Sequence, residues 1–259
     1  RKIENACAII APLQSRNRRN MLNELCVKVC LKLFREATEE DYTQYGKLAN
    51  ARLYRELAYQ TVSFFVLSDQ DEILALVKRS QCSDELLHDL NLLVVRPLVI
   101  RTDGLTIANE LRQMLPRSEE LRTANEAVTW LLGKFRKDVL QKLPNNEVTI
   151  LDGKPCLIAH HFVPATAAAW CQASPDQRRV RIESLWGLPE GLYWYAYDAF
   201  DVDTKQSKLD ASTIRRERMV IRERRRYKER FVAPDADGHW VLHKTAAGPD
   251  WQRSIKCRA

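Results

Sequence analysis

The sequence predicts an α+β protein in which a helical domain, residues 1–90, precedes a domain of mostly antiparallel strands, residues 91–259. Two observations lead to this prediction. Apolar residues in the first part recur every three or four positions, the spacing of one helix face. After residue 91, short β-rich runs alternate with polar turns, and Asp-Gly pairs at 152–153 and 237–238 favour hairpins. A content of 45% hydrophobic and 29% charged residues is ordinary for a chain that buries a core.

The first domain is expected to consist of helices. An apolar stripe runs through residues 20–68, which we predict to be largely helical. Residues 70–80 predict a further short helix, and Ser83, followed by two acids, is a suitable cap for the next one. No glycine occurs between Gly46 and Gly104, which fits a layer of helices with packed faces.

The second domain is expected to begin with a strand in residues 92–100, followed by a polar turn. Helical spacing then returns in residues 106–114 and 118–142. The remaining predicted strands cover residues 147–151, 155–163, 179–185, 192–196, 199–203, 228–233 and 239–244. With few long connections between them, these strands favour antiparallel pairing.

Charge and composition limit the classes of function. No run of about 18 apolar residues exists, which excludes a transmembrane helix on sequence grounds. Seven cysteines without a Cys-x-x-Cys pair indicate a reducing compartment, so we expect a cytoplasmic protein. The chain starts at Arg1 without an initiator methionine or signal peptide, and we interpret it as part of a longer polypeptide or complex. Of the net charge of +7, much is concentrated in residues 212–230, where nine basic residues face three acids.

Candidate functional residues lie where predicted strands end. They are Arg101, Asp103, Arg117, His160, His161, Glu183 and Glu190. Arginine binds phosphate and carboxylate oxygens with two parallel hydrogen bonds, and no nucleophile stands out nearby. The pattern therefore fits the handling of nucleotide phosphates, which requires positioning and charge neutralisation. Ion pairs at the ends of surface loops are the alternative that the residues alone leave open.

The turn at residues 187–191 is a candidate site for a metal. Glu183 and Glu190 flank a backbone in which Gly187 and Gly191 allow close approach of a ligand. Carboxylates in such a position suit Mg²⁺, which takes oxygen ligands and shares them with phosphates. A strand followed by a Gly-Pro turn is also common in proteins without a metal.

Four motifs resemble, in order, the nucleotide-binding domain of the phosphoenolpyruvate synthase and pyruvate phosphate dikinase family. They lie in residues 99–103, 115–118, 157–164 and 182–192. The resemblance covers roughly residues 92–245 and is most specific in residues 180–203. It implies a divergent ATP-grasp fold, a mixed or antiparallel sheet that binds ATP and Mg²⁺, and a phosphotransferase (kinase-type) activity with an unknown acceptor.

The resemblance also implies roles for individual residues. Arg101 matches an arginine that contacts phosphate, and Glu190 matches a glutamate near metal and phosphate. By the same analogy Arg117 would bind phosphate, Glu183 would face the metal and Lys228 would neutralise developing charge. The connection that lies against adenine matches residues 157–164, so the backbone of His160, His161, Phe162 and Val163 would contact the base.

Departures from the family pattern leave two other functions open. Arg101 is followed by Thr102-Asp103 where the family has two serines, and Pro189 replaces a glycine. The family's glycine-rich lysine segment near the amino end was not recognised, and its closing segment has no counterpart before Ala259, as in a domain truncated at the carboxyl end. A catalytically degenerate scaffold would fit these departures. The basic segment 215–230 would fit a nucleic-acid-associated protein, or a solvated helix or loop.

Overall fold

The structure, a computed structural model, contains helices and antiparallel sheets, so the α+β class is confirmed. It describes residues 6–7, 30–57, 61–105, 115–142, 153–175, 178–193, 195–203, 220–224, 226 and 228–244. The chain divides into two compact units, Pro12–Phe162 and a second unit of Arg1–Ala11 with Val163–Ala259. Residues 91–162 therefore belong to the same unit as most of the expected helical domain. Within the described residues, no helix is long and apolar enough to cross a membrane.

The elements follow one another along the chain with short helices in the first unit and strands throughout. The strands are β1 (Ala6–Cys7), β2 (Arg35–Glu36), β3 (Phe64–Leu67), β4 (Leu98–Gly104), β5 (Pro155–His161), β6 (Ala167–Ala173), β7 (Arg179–Trp186), β8 (Asp198–Asp203), β9 (Val220–Arg224), β10 (Arg230–Pro234) and β11 (Trp240–Lys244). The helices are α1 (Glu39–Gln44), α2 (Gly46–Glu56), α3 (Gln70–Leu74), α4 (Asp84–Leu93), α5 (Ala124–Trp130) and α6 (Arg136–Lys142). Single π-helical turns, Ala75–Arg79 and Leu131–Phe135, extend α3 and join α5 to α6.

The helices of the first unit begin where side chains satisfy their first amide groups. Thr38 and Asp41 form a reciprocal capping box at α1. Asp69, Ser83 and Thr123 each accept a hydrogen bond from an amide in the first turn of α3, α4 and α5. The predicted helices at residues 70–80 and after Ser83 are confirmed.

Two predictions for the first unit are wrong. The region predicted as largely helical, residues 20–68, contains the strands β2 at Arg35–Glu36 and β3 at Phe64–Leu67. A short, continuous apolar run such as residues 64–67 suits a buried strand as well as a helix. The strand predicted at 92–100 begins only at Leu98, because α4 continues to Leu93. Pro97 disfavours a helical conformation of the residue before it, so the helix does not extend to the strand. The predicted strand at 155–163 is confirmed as β5. The expectations for residues 106–114 and 147–151 lie outside the described residues.

The first unit is built around an antiparallel sheet with strand order β2-β3-β5-β4. Each face of this sheet contributes to a separate hydrophobic core. On one face, Val66, Cys156 and Ile158 pack with residues of α1 and α2. On the other face, side chains of β3, β4 and β5 pack with α3 to α6 and the π-helical turns. Because both faces are covered, β5 is buried along its whole length.

The second unit contains an antiparallel sheet with strand order β1-β6-β7-β8-β9 and a separate hairpin, β10-β11. The predicted strands at 179–185, 199–203, 228–233 and 239–244 are confirmed as β7, β8, β10 and β11. The predicted strand at 192–196 is wrong, since Pro189–Tyr193 forms a 3₁₀ helix. The basic segment also differs from the expected helix or loop where it is described, because Val220–Arg224 pairs with β8 as an edge strand.

Candidate anion-binding site

The face of the first sheet that meets α2 carries most of the polar residues that the sequence singled out. Because paired residues of antiparallel strands share a face, the register places Arg101, Asp103 and His160 on the same side. This is the side of Cys156 and Ile158, which pack in the core with α2 residues. The site is therefore formed by one helix and two neighbouring strands of the first unit.

Lys47, in the first turn of α2, is attached to the end of β4 by two hydrogen bonds. Its amide N–H donates to Asp103 Oδ2 at 2.8 Å. Its ammonium Nζ donates to the carbonyl oxygen of Thr102. The second carboxylate oxygen of Asp103 accepts the amide N–H of Gly104 at 2.8 Å. Asp103, which is fully buried, thus connects α2 to β4 and fixes the start of the helix.

Arg117 lies beside Arg101 because the chain after residue 115 runs antiparallel to β4. The two arginines form an isolated β-bridge, so their side chains leave the same face. Amide hydrogen bonds from Thr102 to the oxygen of Pro116, 3.2 Å, and from Ser118 to the oxygen of Ile100, 2.9 Å, hold this pairing. Two like charges opposite each other on a sheet oppose pairing, so these backbone hydrogen bonds hold the two guanidinium groups side by side against their repulsion.

The pKa of Lys47 depends on its burial and on the charged groups around it. Burial is the main cause that lowers the pKa of Lys47 to about 8; the charge of Asp103 opposes this shift, and the charges of Arg101 and Arg117 contribute to it. Lysine normally titrates near 10.4. Three basic side chains therefore lie within electrostatic reach of one another on one side of the sheet. The sequence does not single out Lys47, because the partners that place it here, Asp103 and Thr102, lie 56 and 55 positions later in the chain.

His160 is buried next to Arg101, with 8% of its surface exposed. Arg101 Nε donates to His160 Nε2 at 3.2 Å, and His160 Nδ1 lies 3.0 Å from the carbonyl oxygen of His161. Burial, followed by the charge of Arg101, lowers the pKa of His160 to about 3. The imidazole is therefore neutral at physiological pH.

Tyr45 and Cys156 are both buried in the core that this face of the sheet forms with α1 and α2. Burial raises the pKa of each group above its ordinary value, and the charge of Asp103 adds to the increase at Cys156. A buried thiol held in its protonated form is a poor nucleophile. These two side chains support the site by packing.

The residues expected to contact a base are differently placed. His161 lies on the opposite face of β5, where its Nε2 is 3.0 Å from the oxygen of Leu93. The amide N–H of Phe162 donates to the oxygen of Pro97 at 2.7 Å, so this donor is already used within the first unit. Val163 begins the second unit's carboxyl-terminal segment. The role in base binding stays a prediction.

The predicted metal ligands Glu183 and Glu190 belong to the second unit. Glu183, on β7, accepts a hydrogen bond from Arg181 Nε at 3.2 Å, and Arg181 also binds Asp201 at 2.9 Å. Glu190 is half-buried in the first turn of the 3₁₀ helix. Among the described residues, no group of three or more His, Cys, Asp or Glu side chains is arranged to hold a metal ion. Mg²⁺ needs only one or two carboxylates when phosphates supply other ligands, so this assignment stays a prediction.

Lys228, predicted to neutralise charge during transfer, is fully buried in an ion pair. Its Nζ lies 2.7 Å from Asp198 Oδ2 and both side chains have no exposed surface. Nζ also donates to the oxygen of Arg226 at 3.0 Å, while the amide of Arg226 donates to Asp198 Oδ1 at 2.8 Å. These contacts join the segment after β9 to the start of β8.

The turn at residues 187–191 owes one of its glycines to packing. Gly187 has a φ of +76°, and a Cβ built there would lie 2.2 Å from the carbonyl oxygen of Val232. The same oxygen accepts the amide N–H of Leu188 at 2.8 Å. The close approach that the sequence assigned to a ligand is thus made by strand β10 at this position.

The chain matches no model of a protein family, and it matches no curated protein.

Proposed function

We propose that the chain is a nucleotide-binding module of the ATP-grasp type, in which the first unit binds the phosphates of Mg-ATP. The observation that carries the proposal is the placement of Lys47, Arg101 and Arg117 around one side of the sheet. It is supported by the resemblance of residues 99–103 and 115–118 to phosphate-contacting segments. The proposed activity is phosphoryl transfer from ATP to an acceptor.

The chemistry of the three donors fits a polyphosphate. Two guanidinium groups offer planar, paired donors to phosphate oxygens, and an ammonium adds a compact charge. A triphosphate with several negative charges suits three cations better than a monovalent anion does. Transfer of a phosphoryl group needs such positioning and charge neutralisation more than it needs a protein nucleophile, which agrees with the inert Cys156.

Bound Mg²⁺ would neutralise part of the phosphate charge and fix its geometry. Glu183 and Glu190 are the residues that the resemblance assigns to it. Arg181 Nε donates to one oxygen of Glu183, so a metal ion there would share this carboxylate with Arg181. In the proposed function the other residues act without the ion: the arginines bind and orient phosphates, and Lys47 supplies charge from α2.

Calorimetric titration with Mg-ATP and with tripolyphosphate tests the proposal. Replacing Arg101 or Arg117 by glutamine should weaken binding about 10- to 100-fold, the value of one or two charge-assisted hydrogen bonds. Arg52→Gln is the matched control, because Arg52 lies on α2 but pairs with Glu56 on its exposed surface. A wild-type dissociation constant weaker than about 1 mM would overturn the proposal and favour the degenerate scaffold.

The role of Glu190 requires a separate comparison. Only the resemblance assigns Mg²⁺ to Glu190. On that assignment Glu190→Ala should weaken Mg-ATP binding while leaving metal-free tripolyphosphate binding unchanged, because a metal ligand acts only when the ion is present. Equal affinities of the variant and the wild type for Mg-ATP would remove Glu190 from the site.

A nucleic-acid-associated function is the second candidate, and the exposed strand β9 favours it. All five of its residues are exposed, including Arg222 and Arg224. Arg179 and Arg181 line a groove together with Arg222, but Asp201 and Asp203 line it too. RNA binding by this strand should fall steeply with salt and be lost on replacing Arg222 and Arg224 by glutamine. Salt-independent binding, or none, would exclude this function.

A further inference from the structure

We propose that His160 is a positioning residue for Arg101, whose guanidinium it orients at the anion site by accepting a hydrogen bond from Nε. The inference rests on the proposed function, since it gives Arg101 a phosphate to bind. The resemblance implies a ligand contact only for the backbone of His160. In the structure it is the imidazole of His160 that contacts Arg101.

The hydrogen-bond partners of His160 allow only one form of the ring. Arg101 Nε carries a proton and cannot accept, so His160 Nε2 must offer a lone pair across the 3.2 Å contact. The carbonyl oxygen of His161 can only accept, so Nδ1 must carry the proton across 3.0 Å. His160 is therefore neutral and protonated on Nδ1. Neither the cation nor the other neutral tautomer makes both contacts.

The neighbouring strands hold the imidazole in place. His160 on β5 lies opposite Phe64 on β3 and Val99 on β4. The Phe64 ring packs edge-on against the imidazole, with 5.4 Å between ring centroids. Arg101 is two residues beyond Val99 on the same face, within diagonal reach of His160. The orientation of the ring, and with it the acceptor, is thus set by the sheet.

A hydrogen bond at Nε fixes the plane of the guanidinium. Paired recognition of a phosphate depends on that plane, because the two donors must point at two oxygens together. A flexible arginine loses side-chain entropy when it binds, whereas an arginine already held by a neighbour loses less. His160 would therefore raise affinity without touching the ligand.

His161 provides a matched control within the same strand. It is the next residue, has the same 8% exposure, and packs against Phe65 as His160 packs against Phe64. It lies on the other face, where its Nε2 faces the carbonyl oxygen of Leu93 at 3.0 Å and must carry a proton. Replacement of either histidine removes a buried ring of the same size, but only one of them serves Arg101.

The decisive experiment measures tripolyphosphate affinity by calorimetry for His160→Leu, His160→Gln and the control His161→Leu. We expect His160→Leu to weaken binding about 10-fold and His160→Gln to stay within about three-fold of wild type, because the glutamine oxygen can accept from Nε. His161→Leu should bind like wild type. The double variant of Arg101→Gln and His160→Leu should bind no more weakly than Arg101→Gln alone.

Nitrogen-15 NMR of the wild-type protein supplies a readout that does not depend on a variant that folds. His160 should show a protonated Nδ1 and an unprotonated, hydrogen-bonded Nε2. A cationic His160, or one protonated on Nε2, would overturn the inference. So would wild-type affinity in a folded His160→Leu, or equal losses in His160→Leu and His161→Leu. If wild type itself fails to bind tripolyphosphate, the proposed function fails and this role fails with it; if it binds and His160→Leu binds equally, only this role fails.

Discussion

Replacement of Lys47 by methionine should stabilise the protein while it weakens anion binding. The pKa of Lys47 is lowered to about 8 from 10.5, chiefly by burial. A shift of this size means that the folded protein bears a cost of about 3 kcal/mol to keep Lys47 charged at pH 7. Methionine has a similar length and no charge, but it loses the hydrogen bond to Thr102, worth about 1 kcal/mol. The net expectation at pH 7 is a stabilisation of about 1–2 kcal/mol.

The pH dependence of this difference has a definite sign. Because the pKa is lower in the folded state, the unfolded chain binds more protons between pH 8 and 10.5, and the wild type gains stability as the pH rises through that range. The cost is fully present below the folded pKa of about 8. It should fall by about 2 kcal/mol between pH 7 and 9.5, and the advantage of the methionine variant should shrink by that amount.

Urea unfolding of both proteins at a series of pH values measures the difference, in which the titration of all other groups cancels. Lys134→Met is the control, because Lys134 has a side chain that is 59% exposed, in an ion pair with Asp138. Its effect on stability should not change between pH 7 and 9.5. A difference between wild type and Lys47→Met that is equally independent of pH would refute the assignment of a costly buried charge to this position.

Three further variants test the structural contacts. Gly187→Ala should lower the free energy of unfolding by more than about 2 kcal/mol, because the left-handed backbone alone costs about 1–2 kcal/mol and the methyl group would meet the oxygen of Val232. The control, Gly133→Ala, has open space around the added methyl group and should not destabilise the protein in the same thermal unfolding experiment. Asp198→Asn should lower the free energy of unfolding by about 3–5 kcal/mol, measured with denaturant, since it leaves Lys228 buried without its counter-charge. A loss below about 1 kcal/mol is typical of an exposed ion pair and would contradict the buried one described here. Asp89→Asn should lower the free energy of unfolding by at least about 2 kcal/mol, because an amide replaces a carboxylate that accepts hydrogen bonds from three backbone N–H groups. An unchanged melting temperature would show that these hydrogen bonds contribute little to stability.

Features set by a few adjacent residues were predicted correctly. Ser83 caps α4 as expected, because its hydroxyl reaches the amide of Leu86 whatever the rest of the fold does. The turn at Asp237-Gly238 also follows local chemistry, with Gly238 at a φ of +89°. Strand β7 was predicted correctly because charged and apolar residues alternate from Arg179 to Glu183.

Features that depend on partners distant in the sequence were not predicted correctly. Residues 64–67 become a strand because β5, about ninety positions later, pairs with them. The ion pair that removes Lys228 from solvent depends on Asp198, whose position beside it no local pattern reveals. The sequence singles out Arg101 and Arg117 separately, and only the pairing of these two residues in the fold shows that they share a face.

The contacts of Lys47 give a structural reason for the two residues that follow Arg101. Thr102-Asp103 stands where the resembling family has two serines, which favoured a degenerate site when only sequence was considered. In the fold, the carbonyl oxygen of Thr102 accepts the ammonium of Lys47, and Asp103 accepts its amide. The departure therefore coincides with the attachment of a third basic side chain beside the two arginines. Since Asp103 uses both oxygens on backbone amides, it holds α2 in position, and the charge that this attachment brings to the sheet fits the phosphate binding that we propose.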